Sequence, residues 1–111
     1  MTTPMIGCVN IWAFRVKPGS EREFERIYGP DGDWGQLMGP AEGYISTQLL
    51  RDIVDPGRYV TIDSWSTIAA YEKFMEDFAA EYEALDEKCE SLTDEENPVG
   101  TFLSAARASR P

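Results

Sequence analysis

The stretch Arg58-Tyr-Val-Thr-Ile-Asp-Ser-Trp-Ser-Thr-Ile-Ala-Ala-Tyr-Glu-Lys-Phe-Met75 decides the fold. Tyr59 and Trp65 alternate with Val60 and Ile62, the two-residue period of a strand. Ser66 and Thr67 follow, hydroxyl residues suited to capping a helix. From Tyr71 the period changes: Phe74, Met75, Phe78, Tyr82, Leu85, Cys89 and Leu92 recur at three- and four-residue steps. That spacing predicts one amphipathic helix of about six to seven turns, with room for a bend late in its course. Trp65 and Tyr71 are thereby expected to converge where strand hands over to helix.

Working outward, Cys8 to Val16 is rich in β-branched and aromatic residues and reads as a first strand. Lys17-Pro18-Gly19 ends it, and Ser20 with Glu23 three residues on is a capping-box signature. Phe24, Ile27 and Tyr28 give the helix that follows one apolar face. Residues 34–42 admit a short helix or a compact loop. Gly43 to Asp52 reads as a second strand, and Asp55-Pro56-Gly57 supplies turn chemistry for a hairpin into the third. Thr93 to Pro98 reads as an acidic exit loop, Val99 to Ser104 as a short last strand, and 105–111 as a flexible tail. The order βαββαβ is that of the split βαβ, ferredoxin-like α+β plait. No repeat or low-complexity linker divides the 111 residues, so one domain with its core at about 6–104 is expected.

Twenty acidic against ten basic residues give a formal charge of −10, which removes the basic footprint of a nucleic-acid binder and disfavours an anionic membrane surface. No apolar run approaches the ~20 residues of a membrane span, and Met-Thr-Thr-Pro-Met5 lacks the features of a signal peptide. With two cysteines, Cys8 and Cys89, a reduced cytoplasmic setting is expected. There is no histidine, hence no histidine base, no histidine-led triad and no proximal histidine for haem. Two cysteines alone make no zinc site. Chemistry must come from carboxylates, tyrosines, lysines, thiols or a reactive substrate.

Both faces of the sheet are apolar. Cys8, Trp12, Phe14 and Val16 point one way, and Val9, Ile11 and Ala13 the other. Tyr44 and Leu50 are expected to oppose Ile45 and Leu49. Right-handed crossovers put both helices on one face. The other face would be a large exposed apolar patch, which a homodimer would cover.

The segment from Arg58 to Met75, with Tyr28-Gly-Pro-Asp-Gly-Asp-Trp34 and Ala41-Glu-Gly-Tyr44, resembles the antibiotic biosynthesis monooxygenase superfamily, over roughly residues 6–104. The resemblance implies a dimeric α+β barrel. One branch of that superfamily oxygenates small aromatic, polyketide-type substrates without metal, flavin or haem, the substrate's own carbanion reacting with dioxygen. Its pocket uses an asparagine, a tryptophan four residues later and a tyrosine six beyond that. Trp65 and Tyr71 match the last two and become the candidate catalytic residues, while Thr61 stands at the asparagine's place. Asn10, Trp12, Thr61, Asp63 and Met75 are the candidate substrate-binding residues. Trp65 and Tyr71 would equally serve by packing together to close the core. Asp63 is either a buried acid of raised pKa or a structural carboxylate, on an exposed strand edge or in an ion pair with Arg51 or Arg58, and the structural role is the favoured reading. A second, haem-degrading branch would need a histidine on the long helix, so that activity is not expected. A non-catalytic ligand-binding protein on the same barrel is the alternative.

Overall fold

The computed structural model describes residues 5–105; of the flexible tail expected for 105–111, residues 106–111 lie outside them. The two-residue alternation holds through β1 (Cys8–Val16) and β3 (Arg58–Trp65), and β2 (Tyr44–Arg51) and β4 (Thr93–Leu103) complete an antiparallel sheet in the order β2-β3-β1-β4. Helices α1 (Glu21–Tyr28), α2 (Asp33–Met38), α3 (Ile68–Asp77) and α4 (Ala79–Cys89) connect the strands, and a 3-10 turn at Glu90–Leu92 leads into β4. This is the ferredoxin-like α+β plait, with the ambiguous segment 34–42 resolved as the short helix α2. Among the described residues no helix is long and apolar enough to cross a membrane.

The core lies between the sheet and the helices and is largely aromatic. Phe24 stacks on Tyr28 at 4.2 Å and meets Phe14 at 5.2 Å and Tyr59 at 5.0 Å. At the far end of the sheet Trp65, fully buried, is flanked by Tyr44 at 5.4 Å, Phe74 at 5.3 Å and Tyr71 at 5.8 Å. The expected convergence of Trp65 and Tyr71 is present, in an edge-to-face geometry that aromatic pairs favour. Thr67 caps α3, its Oγ1 accepting from the Ala70 amide at 3.0 Å.

Four details depart from the sequence reading. The long helix is two helices, because the chain leaves helical geometry at Phe78 (φ −116°, ψ 22°) while its apolar spacing continues unbroken. β4 begins at Thr93, not Val99: the acidic run pairs with β1 from Val16 to Trp12 and the rest of β4 from Ile11 to Cys8, with bulges opposite Ile11/Trp12 and Arg15/Val16. Acids and a proline suit an edge strand, where they discourage further pairing. The Ser20 side chain makes no capping bond, so the capping box does not form; the Glu21 carboxylate instead accepts from the Gly19 amide at 2.9 Å. A bulge between Tyr44 and Ser46 resets the alternation of β2. Tyr44 and Leu49 therefore both pack towards the helices, and Leu50 lies on the opposite face, 47% exposed.

That opposite face carries Val9, Ile11, Ala13, Val60 and Ile62, all half-buried, with Phe102 exposed beside them. No helix covers it.

Candidate functional site

Register places four polar side chains in one row across the helix side of the sheet. Thr47 on β2 lies opposite Asp63 on β3, Asp63 opposite Asn10 on β1, and Asn10 opposite Thr101 on β4. Thr101 Oγ1 donates to Asn10 Oδ1 at 2.8 Å, and Thr47 Oγ1 donates to Asp63 Oδ1 at 2.7 Å. Tyr44 Oη and Thr47 Oγ1 are 2.6 Å apart. A threonine hydroxyl has one proton, already given to Asp63, so the tyrosine hydroxyl is the donor to Thr47. The result is a hydroxyl chain from Tyr44 through Thr47 to the Asp63 carboxyl.

Asp63 faces a cleft between the sheet and the helices. Its floor is Trp12, Phe14, Thr61 and Asp63, with Thr47 and Glu96 from the flanking strands. Its roof is Tyr28 at the end of α1, Trp34 and Met38 of α2, and Tyr82 and Asp86 of α4. The cleft has about 40 Å³ of room for solvent, and about 430 Å³ of free space when the open mouth is included.

Neither structural role favoured for Asp63, an exposed strand edge or an ion pair with Arg51 or Arg58, is found. Arg51 lies 3.6 Å from Glu25 and Arg58 lies 3.2 Å from Asp52. Both arginines find carboxylates at the sheet's solvent margin, while Asp63 points inward on the same side as Thr61 and Trp65. Burial raises its pKa from 3.8 to about 6, against the opposing effect of the Thr47 hydrogen bond. A carboxyl poised there changes protonation near neutrality, as a general base must.

Other titrations are pushed away from neutrality. Burial raises the pKa of the Tyr28, Tyr44, Tyr71 and Tyr82 hydroxyls, keeping them donors. Burial also raises those of the Cys8 and Cys89 thiols, both free, so neither is an activated nucleophile. The Glu96 carboxyl is raised by burial and then by the nearby Asp86 carboxylate.

Of the candidates taken from the sequence, Trp12, Thr61 and Asp63 meet in the cleft. Asn10 is buried beside Asp63 in the polar row but is not part of the lining. Trp65, Tyr71 and Met75 belong to the aromatic packing under α3, next to the cleft and outside its lining. The Trp65 indole N–H is buried with no partner. Thr47, Trp34, Tyr82, Asp86 and Glu96 are lining residues that sequence reasoning missed. For Tyr82 a signal existed, since it lies on the apolar stripe. For Glu96 it was hidden by reading β4 as a loop. Among the described residues no three carboxylates or thiols gather as a metal-ligand set.

The fold and this site can be set beside known proteins. None of the curated proteins matches the chain. Among solved structures, the cofactor-independent oxygenase SnoaB from Streptomyces nogalater superposes with a TM-score of 0.72 at 18% identity, covering 95% of this chain and 99% of that one. Its asparagine-to-alanine variant gives 0.75 at 16% identity, over 93% and 97%. A conserved protein from Methanosarcina mazei gives 0.67 at 13% identity, over 91% and 95%. At such identities the likeness establishes the fold. The sequence profile of the antibiotic biosynthesis monooxygenase family matches residues 8–81, and this chain belongs to that family.

Proposed function

We propose that the protein is a monooxygenase that takes a small, electron-rich, polyketide-like aromatic in the cleft and oxidises it with dioxygen, without metal, flavin or haem. The observation that carries this reading is Asp63, a carboxyl of pKa about 6 inside an aromatic-walled cleft. SnoaB, whose fold this chain shares, is a cofactor-independent oxygenase, which supports the same class of reaction.

In this mechanism an activated substrate methylene gives a proton to the Asp63 carboxylate and keeps the electron pair on carbon. The carbanion and dioxygen combine, through electron transfer and radical recombination, to a carbon-bound peroxide anion. Asp63 returns the proton to give the hydroperoxide, and loss of water leaves a ketone. The methylene has lost two hydrogens and gained one oxygen atom, and the second oxygen leaves as water. The Tyr44–Thr47 hydroxyl chain holds the Asp63 carboxyl in place. The apolar walls keep bulk water from quenching the carbanion. Tyr71, its ring against Trp65 and next to the cleft, is proposed to donate to an oxygen on the part of the substrate that extends past the lining residues.

The test is oxygen consumption with a panel of anthrones and hydroquinones. Turnover is expected for the native chain, with a loss of about 10²–10⁴-fold in Asp63→Asn, the typical worth of a positioned base. No oxygen uptake with any member of the panel overturns the reading. A second reading, a binding protein without turnover, is favoured by the 40 Å³ of room, which admits water and small groups but not a ring. It predicts a raised melting temperature with the same panel and no oxygen uptake.

The uncovered sheet face further supports a homodimer paired through Val9, Ile11, Val60 and Ile62. A cytoplasmic setting accords with the two free, buried thiols.

A further inference from the structure

The bulge in β2 decides where Tyr44 points. Residues three apart on a regular strand face opposite sides of the sheet, and Tyr44 and Thr47 are three apart. The extra residue between Tyr44 and Ser46 cancels that offset: Tyr44 pairs with Trp65 and Thr47 with Asp63, two positions that share the helix side of β3. Tyr44 Oη thereby comes within 2.6 Å of Thr47 Oγ1, which lies 2.7 Å from Asp63 Oδ1. Without the bulge the tyrosine would lie on the opposite face of the sheet, and the chain would end at Thr47.

Thr47 is buried and lines the cleft, whereas Tyr44 is half-buried and stands outside the lining. With Tyr44 donating to it, the Thr47 hydroxyl keeps its own proton for Asp63, so the chain has one direction. Among the described residues Asp63 Oδ1 receives this bond and Oδ2 receives none. No lysine or arginine lines the cleft to pair with the carboxyl. The other titratable groups around it are Tyr28 of α1, Tyr71 of α3, Tyr82 and Asp86 of α4 and Glu96 of β4, and α2 adds none. Asn10, opposite it on β1, is bonded to Thr101 instead. A hydrogen bond donated to a carboxylate favours the charged form, and here Thr47 is the group that opposes the cost of burial.

We propose that Tyr44 and Thr47 are positioning residues for the base: they commit Asp63 Oδ1 to a hydrogen bond, leave Oδ2 to take the substrate's proton, and hold the carboxyl ionised at neutral pH. In the step itself the substrate C–H bond breaks, its electron pair stays on carbon and the proton bonds to Oδ2. The Thr47 and Tyr44 O–H bonds stay intact throughout. The proposal rests on the reading of Asp63 as the base. It adds that the pH at which the base becomes available is set from β2, by one residue inside the cleft and one outside it.

The first test reads the acid directly and needs no substrate. Asp63 is titrated by the carbon-13 resonance of its carboxyl, assigned by its absence in Asp63→Asn. Thr47→Val keeps the shape and removes the donor. Its midpoint is expected to rise by about one unit, the lower end of what a hydrogen bond to a charged group is worth. Thr47→Ser restores the hydroxyl and should restore the midpoint. Tyr44→Phe keeps the Thr47 bond but removes the donor behind it, and should raise the midpoint by about 0.3 unit. The second readout is the pH profile of anthrone turnover. A base works when ionised, so a raised midpoint moves the acid limb to higher pH. Thr47→Val should lose about fivefold at pH 6 and approach the native rate at pH 8. A loss equal at both pH values would be packing damage and overturns the proposal. So does a midpoint unmoved in Thr47→Val or Tyr44→Phe, or one that Thr47→Ser fails to restore. If Thr47→Val does not fold, Tyr44→Phe carries the test on the same midpoint. Moved midpoints without turnover of anthrone sink the oxygenase reading alone, and turnover with unmoved midpoints sinks this inference alone.

Discussion

Replacing Asp63 by asparagine should make the protein relatively more stable as pH rises, and the structure sets the size of the effect. Burial lifts the carboxyl from 3.8 to about 6 in the folded chain, so folding favours the protonated acid. Below pH 3.8 the acid is protonated in both states and folding carries no penalty. The penalty grows between pH 3.8 and 6, where the unfolded chain is ionised and the folded one is not, and it is complete above 6. At 1.36 kcal/mol per pH unit the full penalty is about 3 kcal/mol. Solvent reaches the carboxyl through the cleft mouth and screens part of this, so about 1–3 kcal/mol is expected.

Asparagine is neutral throughout, and its amide can still accept from Thr47. Its own N–H₂ lacks an assigned partner, a cost that does not vary with pH and so shifts the comparison without tilting it. Urea unfolding of both proteins, at one concentration and at steps from pH 4 to pH 8, gives the stability difference directly. The other nineteen acids are common to both chains and cancel. Stability of the variant relative to the native chain should rise through the window 3.8–6 and then level off. A difference constant with pH would mean that Asp63 ionises as it does in water, and the general-base role would fall with it. A difference of the opposite slope would mean that the ionised form is held by a cation, contradicting its unpaired surroundings.

Three further outcomes follow from the packing. Gly43→Ala puts a methyl 2.5 Å from Ala70 Cβ and 2.8 Å from Ser66 Oγ at a φ of +87°, and should cost about 1–3 kcal/mol in thermal unfolding; an unchanged midpoint would refute the assigned conformation. Trp65→Ala should cost about 3–5 kcal/mol, as its ring touches Tyr44, Tyr71 and Phe74, whereas Tyr71→Phe should keep the fold and lower turnover, so an unaltered rate ends the case for the Tyr71 hydroxyl. Ile62→Glu, near the middle of the uncovered face, should convert a dimer to a monomer by light scattering, and a native chain of monomer mass at every concentration would refute the pairing.

How far the fold was legible depended on whether local pattern and tertiary demand agreed. Tyr59 to Trp65 and Phe24 to Tyr28 have a clear period and a clear partner, and they fold as their periods state. At Phe78 the apolar stripe runs on, but the backbone turns so that α4 can lie over α2 and β4, a demand that no spacing encodes. The acidic stretch Asp94 to Asn97 has the composition of a loop, yet β1 offers it a full ladder, and an edge position tolerates its charges. The bulge at β2 moved Leu49 inward by a single extra residue, which period counting cannot detect. The site was legible in part. Parity alone put Asp63 on the side of Thr61 and Trp65, but parity does not say where Arg51 and Arg58 find their partners. Those turned out to be Glu25 and Asp52, contacts set by α1 and by the hairpin loop.

The placement of Asp63 also bears on why the cleft deserves a functional reading. Tyr59, Thr61 and Trp65 show what the helix side of β3 otherwise holds, namely uncharged groups that pack. An apolar residue in place of Asp63 would remove a penalty of about 1–3 kcal/mol, a substantial share of the 5–15 kcal/mol by which a domain of this kind is stable. The acids Asp86 and Glu96 in the same lining are a second local cost, since burial and then the nearby Asp86 carboxylate push the Glu96 carboxyl above its ordinary range. Each is unfavourable for folding alone, and both adjoin one cavity built from seven separate elements. Sequences that fold well avoid such conflicts, and where conflicts cluster, a bound group that resolves them is the physical explanation that covers them together. A C–H acid delivered to Asp63 would turn the costliest of these conflicts, a carboxyl held half-protonated near neutrality, into the base that the chemistry needs.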